Sequence, residues 1–441
     1  MKMSGKDKIV FGAGLLLIVV SAINIFLVLQ SRHSMNIFKQ SKYRDCPPAP
    51  ETCRKILTES ILERSLDLGK HYLLTSQNPD GSFTYMYNWI TKKTKNEHSQ
   101  VRQAGALWGL SLIYHHNPDA ELAGALQKGI EFFERNSNQS TDGKKWITFP
   151  EDLSGKTGTV ALYALSLIDA LRRPEFLDDD FRKSLESNLD KYLSFLVSLR
   201  TEDGLFNQSY TYDKGKGFGS SPSPYFDGET LLALTKAAKY LDKRELIPII
   251  LASADAMYIT HVDNALRVDP DSNKTKGFFQ WGIMSFFELA TSDWKDAKAY
   301  GDKTIDLANW MIDVHCTLSR TKNTAYAYEG IILARELARQ YNDTFHVNKF
   351  SCVTDKGLRR LTSWQVGGPM QNSYLKNRRY SMDRRAMGGV MNSKRDKHLR
   401  IDVTQHQMHA VILALRYIYN HNLNLNPTLN QKNKSVNKKS D

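Results

Sequence analysis

Residues 159–171 read TVALYALSLIDAL and residues 180–200 read DFRKSLESNLDKYLSFLVSLR, with only RPEFLDD (173–179) between the two helical patterns. The first segment is apolar or small almost all the way round. The second keeps apolar residues at helical spacing but carries charge on its other face. A helix apolar on every side is buried on every side, whereas a helix with one apolar stripe lies at a surface. The pair therefore reads as an inner helix followed, after a short turn, by an antiparallel outer one.

The contrast recurs outward along the chain. ETLLALTKAAKYL (229–241), YEGIILARELA (328–338) and MHAVILALRYI (408–418) are inner-type segments. Helical periodicity predicts twelve segments: 55–76, 99–115, 119–136, 157–172, 180–200, 228–241, 244–261, 278–290, 296–315, 325–341, 347–364 and 403–420. No alternating strand pattern competes with them. Connections leaving even-numbered segments are short, such as Asn117-Pro118, 291–295 and 342–346. Those leaving odd-numbered segments are mostly long: 77–98, 137–156, 201–227, 262–277, 316–324 and 365–402. Antiparallel neighbours with this alternation place all the long loops at one end. The expectation is an all-α (α/α)6 toroid of six helical hairpins, even helices inside, spanning residues 55–421.

The ends of the chain are different in kind. Residues 9–30 (IVFGAGLLLIVVSAINIFLVLQ) carry no charge and are long enough to cross a bilayer as one tilted helix. Lys2, Lys6 and Lys8 precede them. Residues 1–30 read as a cytoplasmic tip and signal anchor, 31–54 as a Pro-containing linker, and 422–441 as a disordered Asn/Lys-rich tail. This makes the bilayer a partner of residues 9–30 and places the C-terminal domain outside the cytoplasm. Cys46, Cys53, Cys316 and Cys352 permit two disulfides in such a compartment, or four thiols. The net charge of +13 is mostly an end effect: residues 1–45 contribute +5 and residues 422–441 contribute +3. That distribution argues against nucleic acid, which needs cations gathered on a folded face.

Gly69-Lys70-His71-Tyr72-Leu73, followed by Gln77, Gly81 and Phe83, resembles the repeat of terpenoid cyclases, with Phe where Trp is usual. Phe195-Leu196, Gly204 and Phe206 resemble it again, with Arg200 replacing Gln. Gly143 and Trp146 form a weaker third copy. The resemblance implies a toroid in which the Gln and the aromatic tie a helix end to the following loop. It does not extend to cyclase chemistry, because the mid-chain Asp-x-Asp-Asp acid motif is absent. The chain is similar in the same way to the six-hairpin glycosidase, sugar-epimerase and glucuronyl C5-epimerase toroids, which implies action on glycans.

In such a toroid the long loops and the starts of the inner helices surround one cavity, and their residues are the candidates. Asp227 and Glu229 open the third inner helix, where they also suit capping and the helix dipole. Glu329 lies deeper, in an apolar inner helix, where a carboxylate should be paired or working. His406 is a candidate acid or base, and Tyr326 a candidate proton carrier. Asp402-Val403-Thr404-Gln405 fits a capping box. Arg102, Gln103, Tyr85, Tyr225, Gln280, Trp281, Tyr328 and Gln405 supply the aromatics, amides and cation that suit sugar rings and their hydroxyls. The last long loop carries nine Lys/Arg between Lys376 and Arg400 against two Asp. Arg378 and Arg379 within it match carboxylates or sulfates. No metal site is expected: His406 and His409 lack a third ligand. Asp269-x-Asp271-x-Asn273 resembles a calcium loop but has Lys274 where Gly is needed. No cofactor is called for.

These residues predict a membrane-anchored carbohydrate-active enzyme acting on an acidic polysaccharide by hydrolysis, β-elimination or C5-epimerisation. A carboxyl pair would favour hydrolysis. Tyr or His beside Arg without such a pair would favour the other two. The competing readings are a non-catalytic glycan-binding toroid in a membrane-bound polysaccharide synthesis machinery and, with its acid motif missing, a terpenoid-cyclase-like enzyme.

Overall fold

The computed structural model describes residues 46, 53, 56–95, 99–150, 152–219, 221–377 and 383–419. The expected membrane span, most of the linker, the tail, and Arg378 and Arg379 lie outside the described residues. Twelve long helices follow in the expected order: α1 (Glu59–Thr75), α2 (Gln100–His116), α3 (Ala120–Arg135), α4 (Thr157–Leu171), α5 (Asp179–Ser198), α6 (Pro224–Tyr240), α7 (Ile247–Tyr258), α8 (Asn273–Ala290), α9 (Tyr300–Asp313), α10 (Ala325–Gln340), α11 (Thr344–Thr362) and α12 (Ile401–Ala414). The α7 helix runs on through a π turn, Ile259–Asp263, into Asn264–Val268. Residues 244–268 are apolar and long enough to cross a membrane, but here they pack as an outer-ring helix on α6.

The even helices form a closed ring in which α2, α4, α6, α8, α10 and α12 each touch the next, and α12 returns to α2. Every residue of α4 is buried. Close approach of backbones makes the ring possible. A Cβ on Gly109 of α2 would sit 2.4 Å from Gln405 Cγ of α12, and one on Gly228 of α6 would sit 2.5 Å from Trp281 Cβ of α8.

The odd helices pack outside. Several start on side-chain caps: Asp119, Asp178 and Asp343 accept from the amides of Leu122, Phe181 and His346. Such caps contribute about 1 kcal/mol each.

The repeat-like motifs act as ties between neighbouring outer helices. Gln77 Nε2 donates to Ala125 O of α3 (2.9 Å), and Arg200 Nε donates to Ser253 Oγ of α7 (2.9 Å). A further tie escaped the sequence reading. Gln365, at the end of α11, donates to Ser65 O of α1 (2.9 Å) and accepts from Ser65 Oγ (2.7 Å), closing the outer layer on itself. Contrary to the strand-free expectation, short strands occur, all in the long odd-to-even loops. Residues 86–88 pair antiparallel with both 93–95 and 398–400, with Met86 opposite Arg400. This joins the first long loop to the last.

Two disulfides, Cys46–Cys316 and Cys53–Cys352, fasten Cys46 and Cys53, ahead of α1, to the loop after α9 and to α11, the outer neighbour of α1. Cys46 and Cys53, within what reads as linker, are thus bound to the domain. Asp355 adds to the attachment by accepting from the amides of Ile56 and Leu57 (3.0 Å each). The bridges span 270 and 299 residues, and closing one such loop constrains the unfolded chain by about 5 kcal/mol on the chain-entropy account. The second bridge, given the first, closes a loop of only about forty residues and adds less. We expect replacing all four cysteines by serine to lower unfolding free energy by about 9 kcal/mol on this account. Either single pair should cost about 4 kcal/mol, less than half of that, because the remaining bridge keeps most of the constraint. Urea unfolding curves of the three variants check this ordering.

Candidate active site

The starts of the inner helices and the long loops enclose a cavity of about 470 Å³. Its wall includes Arg102, Gly105, Tyr225, Phe226, Glu229, Lys276, Gln280, Trp281, Asn323, Tyr326, Asn392, Arg400, Asp402, Gln405 and His406. Eight of the residues read from sequence as site residues therefore share one wall: Arg102, Tyr225, Glu229, Gln280, Trp281, Tyr326, Gln405 and His406.

Asp227 and Glu229 illustrate how helix geometry sorts neighbours. Two positions apart on α6, they point about 200° apart around the axis. Asp227 faces the body of the fold. Its Oδ1 accepts from Phe206 N (2.9 Å) and its Oδ2 lies 2.7 Å from His261 Nε2. It ties α6 to the preceding loop and to the α7 extension, and it does not reach the cavity. Glu229 faces the cavity and is 3 % exposed. Its Oε2 has no hydrogen-bond partner among the described residues, and the absence of a side chain on Gly158 makes room for it. Burial pushes its carboxyl well above the usual range, because no compensating charge stands beside it.

Glu329 is fully buried on α10 and does not line the cavity wall. Its Oε1 lies 3.0 Å from His409 Nδ1 and 3.4 Å from His406 Nδ1. Burial opposes its ionisation, but the two imidazoles outweigh that and hold the carboxyl below its ordinary value. The expected catalytic carboxylate thus meets the two histidines and not the cavity. His406, one turn from the α12 start, has its side chain 25 % exposed to the cavity. Burial favours its neutral form, yet Glu329 overrides this and raises the imidazole pKa. Gln280 Nε2 lies 2.9 Å from the same Nδ1, and the Trp281 ring stands edge-on at 6.1 Å. With Nδ1 turned to Glu329, Nε2 is the nitrogen left for the cavity.

The rim is cationic and aromatic. Asp402 is held bidentately by Arg400, through Nε to Oδ1 (2.9 Å) and Nη2 to Oδ2, with Arg102 Nε 3.6 Å away. It is the second residue of α12, after an Arg400 cap position that makes no side-chain cap. The capping-box reading of Asp402 and Gln405 is therefore withdrawn. Gln405 instead packs along Gly109 into the cavity wall. Tyr85 lies behind the rim: Arg102 and Arg400 stack on its ring at 4.8 and 5.7 Å.

Lys276 was missed from sequence. Its ammonium lies 3.2 Å from Tyr225 Oη and 4.9 Å from the Tyr326 ring centre. Its signal was available, since it stands one helical turn before Gln280. Burial pushes the Tyr326 hydroxyl up to about 12.

Two other expectations fall away from the cavity. Gln103 clamps the first long loop by accepting from Phe83 N and donating to Phe83 O, both at 2.7 Å. Tyr328 turns outward and lies over Gly357 of α11. The calcium-loop residue Asp271 is occupied by His315 (2.6 Å) and Arg320 (3.0 Å). Among the described residues no group of three or more His, Cys, Asp or Glu is placed to hold a metal.

No protein-family model and no curated protein sequence matches the chain. Solved structures do match its architecture. A D-mannose isomerase has a TM-score of 0.56 at 13% identity, over 81% of this chain and 96% of its own. A sugar epimerase from a ruminal bacterium has a TM-score of 0.56 at 10% identity, over 81% and 98%. An unsaturated glucuronyl hydrolase specific for heparin has a TM-score of 0.52 at 12% identity, over 81% and 97%. These likenesses establish the (α/α)6 toroid shared with six-hairpin carbohydrate-active enzymes.

Glu229 also bears on stability. Its folded pKa is raised, so the folded chain keeps a proton that the unfolded chain loses above about pH 4.3. Its contribution is fully present below that pH and is lost as pH rises toward the folded pKa. Glu229→Gln is neutral at every pH. We expect the variant to gain on the native chain by about 1.4 kcal/mol per pH unit over that window. Denaturant unfolding at a series of pH values from 4 upward measures it.

Proposed function

We propose that the chain is a membrane-anchored carbohydrate-active enzyme that moves a proton on the sugar ring of a carboxylated glycan, C5-epimerisation or β-elimination being favoured over hydrolysis. The observation that carries this reading is the pairing of Glu229 and His406 across the cavity. They come from α6 and α12, which stand opposite each other in the six-membered inner ring. One is a carboxyl whose pKa burial raises, the other an imidazole made more basic by Glu329.

The roles follow from the protonation states. Neutral His406 takes the proton from the carbon next to the substrate carboxylate. Glu229 returns a proton from the opposite side, which inverts the centre, or gives it to the departing ring-substituent oxygen, which completes an elimination. Charge that builds on the substrate carboxylate is met by Lys276 and the Arg102–Arg400 pair. Hydrolysis by two carboxyls would need a second free carboxylate in the wall. Asp402 is tied up by Arg400, and Glu329 is turned to the histidines.

The cavity electrostatics support an anionic substrate. Asp402 offsets part of the charge of Arg102 and Arg400, while Lys276 has tyrosines rather than a carboxylate beside it. All six inner helices point their N-termini at this end, adding the positive ends of their dipoles. The two disulfides and the apolar stretch 9–30 support a domain held outside the cytoplasm on a bilayer, where membrane-bound polysaccharide synthesis machinery is a fitting partner.

The test is deuterium incorporation. Full-length protein in detergent, incubated in D₂O with heparosan, alginate and polygalacturonate, should introduce deuterium at C5 or form a 4,5-unsaturated uronate absorbing near the ultraviolet edge. Neutral glucans should give neither. His406→Asn and Glu229→Gln should each lower the rate by about 10²-fold or more with unchanged circular dichroism. New reducing ends without deuterium or unsaturation would instead establish hydrolysis.

The pH dependence has a defined sign. Activity should rise as His406 loses its proton, at a pH above that of an ordinary imidazole, and fall as Glu229 loses its own. In Glu329→Gln the rising limb should move to lower pH. Rate profiles between pH 5 and 10 check both limbs.

A further inference from the structure

The inner ring holds a second, smaller cavity of about 80 Å³ at the end opposite the first. Its wall includes His409, His115, Asp169, Lys236, Arg172 and Arg416, and a polar space of that size has room for water. Tyr240, also on its wall, is 37 % exposed, so this cavity reaches the far surface of the toroid. Between the two cavities lies Glu329. One of its oxygens, Oε1, serves both His406, which lines the first cavity, and His409, which lines the second. Its other oxygen has no partner among the described residues. His406 and His409 are three residues apart on α12 and so stack on one face.

We infer that His406, Glu329 and His409 form a proton relay along the axis of the toroid, connecting the substrate cavity to water at the opposite end. The inference rests on the role of His406 proposed above. When His406 Nε2 takes a proton from substrate, the ring gives up its Nδ1 proton to Glu329 Oε1. With His409 in the tautomer that carries its proton on Nε2, Glu329 passes a proton to the bare His409 Nδ1, and His409 releases its Nε2 proton to water in the second cavity. One N–H bond forms and one breaks at each imidazole and the carboxyl gains and loses one O–H bond, so that one proton reaches water and each imidazole is left as its other tautomer. Run backwards, the same hops supply His406 with a proton, as a reversible epimerisation requires. The route matters because a bound glycan fills the mouth through which water would otherwise reach His406.

The surroundings keep the proton moving between these three groups. On the His406 side the other charged neighbours are Asp402 and Arg400 at the start of its own helix, with neutral Gln280 from α8. On the His409 side Trp108 of α2 stands edge-on at 5.3 Å and donates to Asp169 Oδ2 at 3.0 Å. Asp169 of α4 is in turn paired with Lys236 of α6 and Arg172, and Glu288 of α8 with Lys239. Both carboxylates near the exit are thus already matched to cations. His115, pushed by burial down to about 3, stays neutral there and can carry a hydrogen bond to exit water without trapping the proton.

Two measurements test the relay, on the full-length protein. Long-range ¹H–¹⁵N spectra of histidine-labelled protein give the titration of His406. In His409→Gln, Glu329 is left with one imidazole instead of two, and His406 should titrate about one pH unit higher. The kinetic arm uses deuterium exchange into the uronate. His409→Gln should slow turnover at least tenfold in dilute buffer, and added imidazole should restore it by carrying protons in place of the missing ring. The native chain should be indifferent to buffer concentration. His409→Asn is the alternative if the glutamine variant does not fold. An unmoved His406 titration, or a turnover loss that no concentration of imidazole relieves, overturns the relay. Absence of turnover in the native chain counts against the proposed function, and the spectra then decide the relay alone.

Discussion

Everything in this protein follows from closing six helices into a ring whose members touch through their backbones. Gly109 against Gln405 and Gly228 against Trp281 mark contacts where a single Cβ would overlap a neighbour. The tightness has two results. Helices this close leave little space along the axis, so the interior divides into a larger cavity at one end and a smaller one at the other, with Trp108, Glu329 and His409 between. Parallel alignment of the inner helices also collects six N-termini around the larger cavity. That end of the ring is electropositive before any side chain is counted.

The same closure explains why so many ionisable groups are buried. A ring helix has no solvent face, so any polar residue on it must be paired, hydrogen-bonded or left to shift its pKa. Asp169 with Lys236 and Arg172 takes the first course, Asp227 with His261 and Phe206 the second. Glu229 takes the third, which stores a proton facing the cavity. Glu329 is intermediate: it remains anionic because two imidazoles share it. On the proposed reading, burial that costs stability at Glu229 would be a source of reactivity, a trade common at sites that do chemistry.

The architecture was legible because it is written in two independent signals. Apolar character distinguishes inner from outer helices, and loop length distinguishes the two ends. Each helix start fell within a few residues except where the first turn is polar or aromatic, as at Pro224–Asp227 and Asn273–Gly277, which the hydrophobic pattern passed over. The site was half legible for a geometric reason. Sequence places residues at a helix start but not around its axis, and 100° of rotation separates Arg102 in the cavity from Gln103 beneath the loop. The same ambiguity left Asp227 and Glu229 undivided as candidates and sent Tyr328 outward. Gln365 was invisible as a repeat because over twenty residues separate it from Gly388, whose carbonyl also accepts from its Nε2 at 3.0 Å. Lys276 was not singled out, although its position a turn before Gln280 on an inner helix carried the information.

On the proposed reading, the build of the rim suits a glycan better than a small sugar. Arg102 and Arg400 do not project freely. They are stacked on Tyr85 and braced by Asp402, and Tyr85 is fixed in turn by the pairing of the first and last long loops. A cation so constrained loses little freedom when an anion arrives. The bracing also halves the local charge, which would weaken capture of a lone carboxylate more than capture of the proposed substrate, a repeating polyanion that touches several cations at once. Lys276 lies on the other side of the opening, on α8, beneath Tyr225 and Tyr326. An anionic chain drawn across the mouth between these two groups would present one ring to Glu229 and His406 while its neighbours remained on the rim.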